Sequence, residues 1–174
     1  DPAITDFDTA NPSGTSAAPA PGSVTLERAK EIALAHANVK AANATFVKAK
    51  QDREDGRLVY EIEFVTGSGR DYTEYDYEID AATGTILSYD FDIEDDALAS
   101  GSSAVKISEA EARRTALARV PGASDANLIK LKLDCDDGRW EYEGEIICNG
   151  MEYDFTIDAA TGRITEWDAE SIYD

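Results

Sequence analysis

One stretch of this chain is written twice, and the duplication limits its architecture more than any other feature. Val24-Thr25-Leu26-Glu27-Arg28-Ala29 through Ala35 matches Ile107-Ser108-Glu109-Ala110-Glu111-Ala112 through Ala118 at a displacement of 83. Asp55-Gly56-Arg57 with Tyr60-Glu61 matches Asp137-Gly138-Arg139 with Tyr142-Glu143, displaced by 82. Ile79-Asp80-Ala81-Ala82-Thr83-Gly84 recurs unchanged as Ile157-Asp158-Ala159-Ala160-Thr161-Gly162, displaced by 78. The drift places most of the lost residues between Phe64 and Tyr77, where Thr66-Gly67-Ser68-Gly69 reads as a longer loop than Asn149-Gly150. The reading is two tandem units, residues 24–94 and 105–174, behind a flexible tether over 1–23 and joined by an acidic linker over 95–104.

Each unit reads as a helix followed by strands. Thr25 and Ser108 stand at N-cap positions, and Ser108 to Glu111 has the spacing of a capping box. Pro121-Gly122 stops the second helix. Ile129, Leu131 and Leu133 alternate with Lys130 and Lys132, and Tyr142 and Ile146 alternate with Glu143 and Glu145. Such period-two alternation describes a sheet with one covered and one watered face. Asp55-Gly56, Asp137-Gly138 and Asn149-Gly150 signal two-residue hairpin turns, and a last short strand is expected over 163–167. The fold class is therefore α+β, each unit one helix packed on a small antiparallel sheet.

A Thr or Ser cap before an Ala-rich helix, an Asp-Gly-Arg hairpin followed by Tyr60 or Tyr142, and the closing Ile-Asp-Ala-Ala-Thr-Gly together resemble the PepSY domain, in both copies. The resemblance covers residues 24 to 94 and 105 to 168. It implies an extracytoplasmic module of the kind found in propeptides of secreted metalloproteases, in germination proteins and in small envelope proteins. Its usual proposed role is inhibitory or chaperone-like towards peptidases, with no catalytic residues to carry over. Residues 1–174 carry no protease domain, so the expectation is that such a role is exerted in trans.

Charge narrows the partners. Thirty-six Asp and Glu against 16 Lys and Arg give a net charge of -20, a field that repels nucleic acid and anionic membranes. No run approaches the roughly 18 apolar residues of a bilayer helix. The 1–23 stretch, rich in Ala, Pro, Ser and Thr, opens on Asp1 rather than Met, which fits a processed secreted or lipid-anchored protein.

The hairpin registers place Lys50 opposite Glu61, Lys48 opposite Glu63, Lys132 opposite Glu143, Lys130 opposite Glu145 and Asp154 opposite Glu145. The open face becomes a lattice with acid to spare. Glu61, Glu63, Asp76, Glu78, Glu145, Glu152 and Asp154 are its candidate partner-binding residues, for a basic peptide segment or weakly for calcium, beside the plain reading of a solvated face. Asp90 to Asp96 reads as a solvated linker or an interdomain cation site. The spacing of an EF-hand loop fails at both Asp134 and Asp52, because the Gly falls fifth rather than sixth. No metal site and no cofactor are assigned.

Cys135 and Cys148 fall on the covered face, out of step by on the order of 25 Å against a Cα limit of about 7 Å, which points to two free, buried thiols. A disulfide remains the alternative if the register differs. His36, the one histidine, falls at the end of the first helix, where it can meet the last carbonyls, and nothing marks a catalytic partner for it. Tyr60, Phe64, Tyr75, Tyr77, Trp140, Tyr142, Tyr153 and Phe155 read as core. The expected function is that of a non-enzymatic extracytoplasmic binding module, acting on a secreted peptidase or envelope protein through a sheet edge or the groove between units. The alternative is an acidic envelope protein that binds divalent cations or cationic polymers.

Overall fold

The computed structural model describes residues 23–94 and 104–172. The tether and nearly all of the linker expected from the sequence lie outside the described residues. The elements run α1 (Leu26–Ala37), β1 (Ala44–Glu54), β2 (Arg57–Ser68), β3 (Asp71–Asp80), β4 (Ile86–Glu94), α2 (Glu109–Ala118), β5 (Leu128–Asp136), β6 (Arg139–Cys148), β7 (Met151–Asp158) and β8 (Ile164–Ser171). Among the described residues no helix is long and apolar enough to cross a membrane.

Both helices start as their caps dictate. The Thr25 hydroxyl accepts from the Arg28 N–H, and Ser108 and Glu111 form the reciprocal capping box. α1 ends on Asn38 in the left-handed conformation, whose N–H returns to the carbonyls of Leu34 and Ala35. The helices bury Ala29 and Ala33, and Ala112 and Ala116, completely. These small side chains let each helix lie close on the strands.

The repeated Ile-Asp-Ala-Ala-Thr-Gly is a structural clasp. Asp80 accepts from the Ala82 N–H at 2.7 Å, and Asp158 accepts from the Thr161 hydroxyl at 2.7 Å, which closes the turn before the last strand of each unit. The carbonyl of Ala81 then accepts from the Val24 N–H, and that of Ala159 from the N–H groups of Lys106 and Ile107. Tyr60 and Tyr142 donate their hydroxyls to the carbonyls of Val24 and Ile107. Turn and tyrosine thus pin the entry of each helix to the sheet. Gly84 must be glycine here, since it sits at φ 77° and a Cβ would press on Val24 and Ile32 at 3.1 and 3.2 Å.

The hairpin turns are as expected: Asp55-Gly56, Asp137-Gly138 and Asn149-Gly150 all have two positive φ values. The register puts Lys50 opposite Glu61, Lys48 opposite Glu63, Lys132 opposite Glu143, Lys130 opposite Glu145 and Asp154 opposite Glu145. Between Thr66 and Gly69 the expected loop is strand instead. Gly67 pairs with Tyr72 and Ser68 with Asp71, so the extra residues of the first unit lengthen the β2–β3 ribbon.

The larger departure concerns the sheets. The units share one eight-stranded antiparallel sheet in the order β1-β2-β3-β4-β8-β7-β6-β5. β8 continues to Ser171, past the expected end at Trp167, and pairs with β4 from Ser88↔Glu170 to Asp92↔Glu166. Alone, each unit would leave its last strand as an open edge, a template for pairing with any other strand, and joining the two removes both edges. Asp90 to Glu94 is therefore not linker but the inner strand of this seam. The cores merge above it. Tyr89 packs against both hydrophobic clusters, and the Trp167 indole N–H donates to the Tyr89 hydroxyl at 3.0 Å.

Among the described residues both thiols are free, but only Cys148 is buried. Cys135 is exposed, and its partner Trp140, expected in the core, is 36% exposed. A ten-residue helix is about 15 Å long, whereas nine strand residues span about 30 Å. α2 thus leaves the hairpin tip uncovered on its own face.

Candidate binding face

Both helices pack with the hydrophobic clusters on one side of the sheet, so among the described residues no helix covers the other side. The four central strands, β3, β4, β8 and β7, contain no lysine or arginine. On the open face one row of directly opposed residues crosses all eight strands: Lys48, Glu63, Asp76, Asp90, Asp168, Asp154, Glu145 and Lys130. It is a palindrome in residue type. Asp90 and Asp168 stand 78 positions apart, the displacement of the repeated clasp, so they are equivalent residues meeting at a pseudo-two-fold axis. Neighbouring strands are about 4.8 Å apart, which sets carboxylates side by side at that interval.

Their protonation reflects the crowding. Burial, then the charges of Asp76 and Asp168, pushes Asp90 up to about 7. Burial, then Glu166 and Glu94, pushes Asp92 up to about 6. Asp76, Asp154 and Asp168 are raised by partial burial and then by neighbouring carboxylates. Beside the seam is a shallow groove of about 450 Å³ lined by Asp90, Asp92, Asp154, Glu166, Asp168 and Lys130.

The seven residues singled out from the sequence all fall on this face, but they divide. Glu61 holds both Lys48 and Lys50, at 3.3 and 3.4 Å, and is largely neutralised. Glu63 faces Asp76, and Glu78 faces Glu61. Glu145, Glu152 and Asp154 bring carboxylate oxygens within 4.8 Å of one another, the geometry of three oxygen ligands for a hard cation. A shared hydrogen bond with Glu145 is the main cause that raises Glu152. Asp52, Glu54 and Glu61 make a second such group. Sequence reasoning put Asp92 in an acidic stretch read as linker or cation site rather than on this face, and it missed Glu166, Asp168 and Glu170, because their face is completed only by the seam. It also missed Glu141, which is 6% exposed and pushed up by burial where the first unit has Val59.

On the helix side, His36 does not meet helix carbonyls. Its Nδ1 lies 2.9 Å from the Tyr77 hydroxyl and its ring packs edge-on against Tyr89, with centroids 4.4 Å apart.

Comparison with known proteins fixes the ancestry of the two repeats. The PepSY family, described as the peptidase propeptide and YPEB domain, matches residues 23–90 and again 106–168. The chain belongs to the PepSY family, in two tandem copies. PepSY domains are in general non-catalytic extracytoplasmic modules. The chain is similar to the uncharacterized protein Spy1430 of Streptococcus pyogenes, 48% identical over 35% of this chain and 44% of that protein. It is also similar to the uncharacterized protein YkoJ of Bacillus subtilis, 38% identical over 40% of this chain and 36% of that protein. It thus matches less than half the length of either relative. A crystal structure of a candidate lipoprotein from Clostridium difficile aligns with 85% of this chain and 94% of its own, at 21% identity and a TM-score of 0.34. Within the PepSY frame, the capped helices, the clasp and the helix-pinning tyrosines are scaffold. The carboxylate row belongs to the surface that this scaffold presents.

Proposed function

We propose that this tandem PepSY protein is a non-catalytic extracytoplasmic module that binds a basic surface of a secreted peptidase or envelope protein through the open acidic face of its sheet. The carrying observation is the row Glu63, Asp76, Asp90, Asp168, Asp154 and Glu145, uninterrupted by any cation. Directly opposed like charges oppose strand pairing. A face that keeps this arrangement therefore gains free energy from any partner that brings positive charge to it. Strand addition at an edge has less support, since β1 and β5 each slip register, at Val47 and at Ile129, and such bulges disrupt the ladder an added strand would extend.

The test is inhibition in trans. Added to a panel of secreted metallopeptidases, the purified chain should lower the activity of at least one, the effect should fade as salt is raised, and the triple change Asp76→Asn, Asp90→Asn, Asp168→Asn should weaken it. No effect across the panel removes the peptidase reading. A second reading, a divalent-cation site at Glu145, Glu152 and Asp154, is favoured by the convergence of their oxygens. It predicts that millimolar calcium raises the melting temperature and that Glu152→Gln abolishes the rise; an unchanged melting temperature removes it.

A further inference from the structure

The helix side of the sheet carries a feature of opposite character. Arg119, at the end of α2, is the counterpart of His36 at the end of α1, by the displacement of 83 that relates the two helices. The axis that brings Asp90 to Asp168 on one face brings these residues together on the other. The Arg119 guanidinium carbon lies 4.6 Å from the Phe91 ring centroid and 5.1 Å from that of Trp167. Stacking uses the flat face of a guanidinium and leaves the N–H donors on its edge free. The Arg119 backbone N–H caps α2 on the carbonyl of Ala116, but among the described residues no carboxylate or carbonyl accepts from its guanidinium, in a chain with 36 acidic residues.

Arg119 borders a groove of about 380 Å³ between the helices, whose floor includes Tyr75, Tyr77, Phe91 and Ile93, with Thr115 at the side. We propose that this groove is a carboxylate-binding subsite that takes the Asp or Glu side chain of an extended peptide, the carboxylate on the free edge of Arg119 and an adjoining apolar side chain on the floor of Tyr75, Phe91 and Ile93.

Charge complementarity selects the occupant. An unpaired guanidinium over apolar rings offers a planar, bidentate site that fits a carboxylate, and the ring floor rewards apolar contact beside it. The negative charge of the chain does not forbid this. The acidic row is on the far side of the sheet, and ionic screening at physiological salt acts over about 8 Å, whereas a hydrogen-bonded contact pair is screened far less. His36 acts as a built-in reporter. The groups facing it are Tyr77, Tyr89 and Arg119; burial, then the Arg119 charge, holds it below its usual value. A carboxylate seated on Arg119 offsets that charge and moves the His36 midpoint up.

This inference concerns the opposite face from the proposed partner surface and does not depend on it. The full chain, isotopically labelled, is titrated with the blocked peptide acetyl-Gly-Leu-Asp-Leu-Gly-amide, with its Asn counterpart, and with acetate alone. The Asp peptide should shift the Arg119 side-chain resonance and raise the His36 midpoint, and should bind about tenfold or more tighter than the Asn peptide. Arg119→Gln should abolish the difference, and Arg119→Lys, which keeps the charge without the planar fork, should retain part of it. Equal response to the Asp and Asn peptides, or unchanged binding to a folded Arg119→Gln protein, overturns the subsite. Acetate binding as tightly as the Asp peptide overturns the peptide as its occupant. Since the peptides carry no cation, either failure leaves the acidic-face reading to stand or fall by its own salt-dependent test.

Discussion

Asp90 and Asp168, equivalent residues of the two repeats, stand directly opposite each other across the β4–β8 seam. Two carboxylates at this distance are not both easily ionised, and Asp76 and Asp154 continue the crowd on either side. The strand pairing that unites the two halves is thus held against its own charge.

Asp90→Asn removes one charge from the seam while keeping shape and hydrogen-bonding capacity. Stability at pH 8 should rise by about 0.2 to 1 kcal/mol, the scale of one opposed cross-strand pair. In the wild type, the folded-state values of Asp90 and Asp92 lie above the ordinary 3.8, at about 7 and about 6, so the folded chain binds more protons than the unfolded chain between those limits. Stability contributed by these groups is therefore fully present only below the unfolded value of 3.8 and is lost as pH rises from there towards 7. Thermal unfolding at pH 5 and pH 8 should show a larger advantage of the variant at the higher pH; an equal advantage at both would sink the explanation.

Glu141 occupies a position that Val59 fills in the first unit, and both are buried. Burial pushes the Glu141 carboxyl up, so its ionised form costs stability at neutral pH. Glu141→Val should stabilise the protein by about 1 kcal/mol at pH 7, and by less at pH 4 where the carboxyl is protonated in both states. Denaturant midpoints at the two pH values check the sign.

Gly144 in the second unit faces Phe155 where the first unit sets Ile62 opposite Tyr77. A Cβ at Gly144 would stand 2.2 Å from Cζ of the Phe155 ring, which is itself 3% exposed. Gly144→Ala should destabilise by about 1 to 3 kcal/mol, the cost of overpacking. The paired change Gly144→Ala, Phe155→Leu should recover part of that loss; in urea titrations, additive losses would refute a shared contact.

The two thiols should react in two phases. Cys135, exposed at the hairpin tip, should be modified rapidly by a thiol reagent in the native state, and Cys148, 5% exposed, only on unfolding. Two equally fast thiols would contradict the burial of Cys148 beneath α2.

Much of this architecture is legible from residues acting over short distances. Asp-Gly and Asn-Gly turns fix register, so Lys50 meets Glu61 and Lys132 meets Glu143, and Ser108 with Glu111 announces a helix start. The seam is not legible in the same way. No turn connects Asp92 to Glu166, and their pairing depends on two strand edges meeting across the intervening second unit. The candidate site inherits that blindness: Glu63, Asp76 and Asp154 could be placed by local register, while Asp168 and Glu166 acquire their meaning only once β8 adjoins β4. The covered face was overread at Cys135 and Trp140, because alternation reports which way a side chain points but not how far the helix above it reaches.

A joint between two copies of one chain comes apart on dilution, whereas the β4–β8 joint is closed within a single polypeptide and its strength is independent of concentration. The arrangement also frees the halves from identity. A homodimer would have to carry histidine twice or arginine twice at the ends of its helices, and this molecule carries one of each.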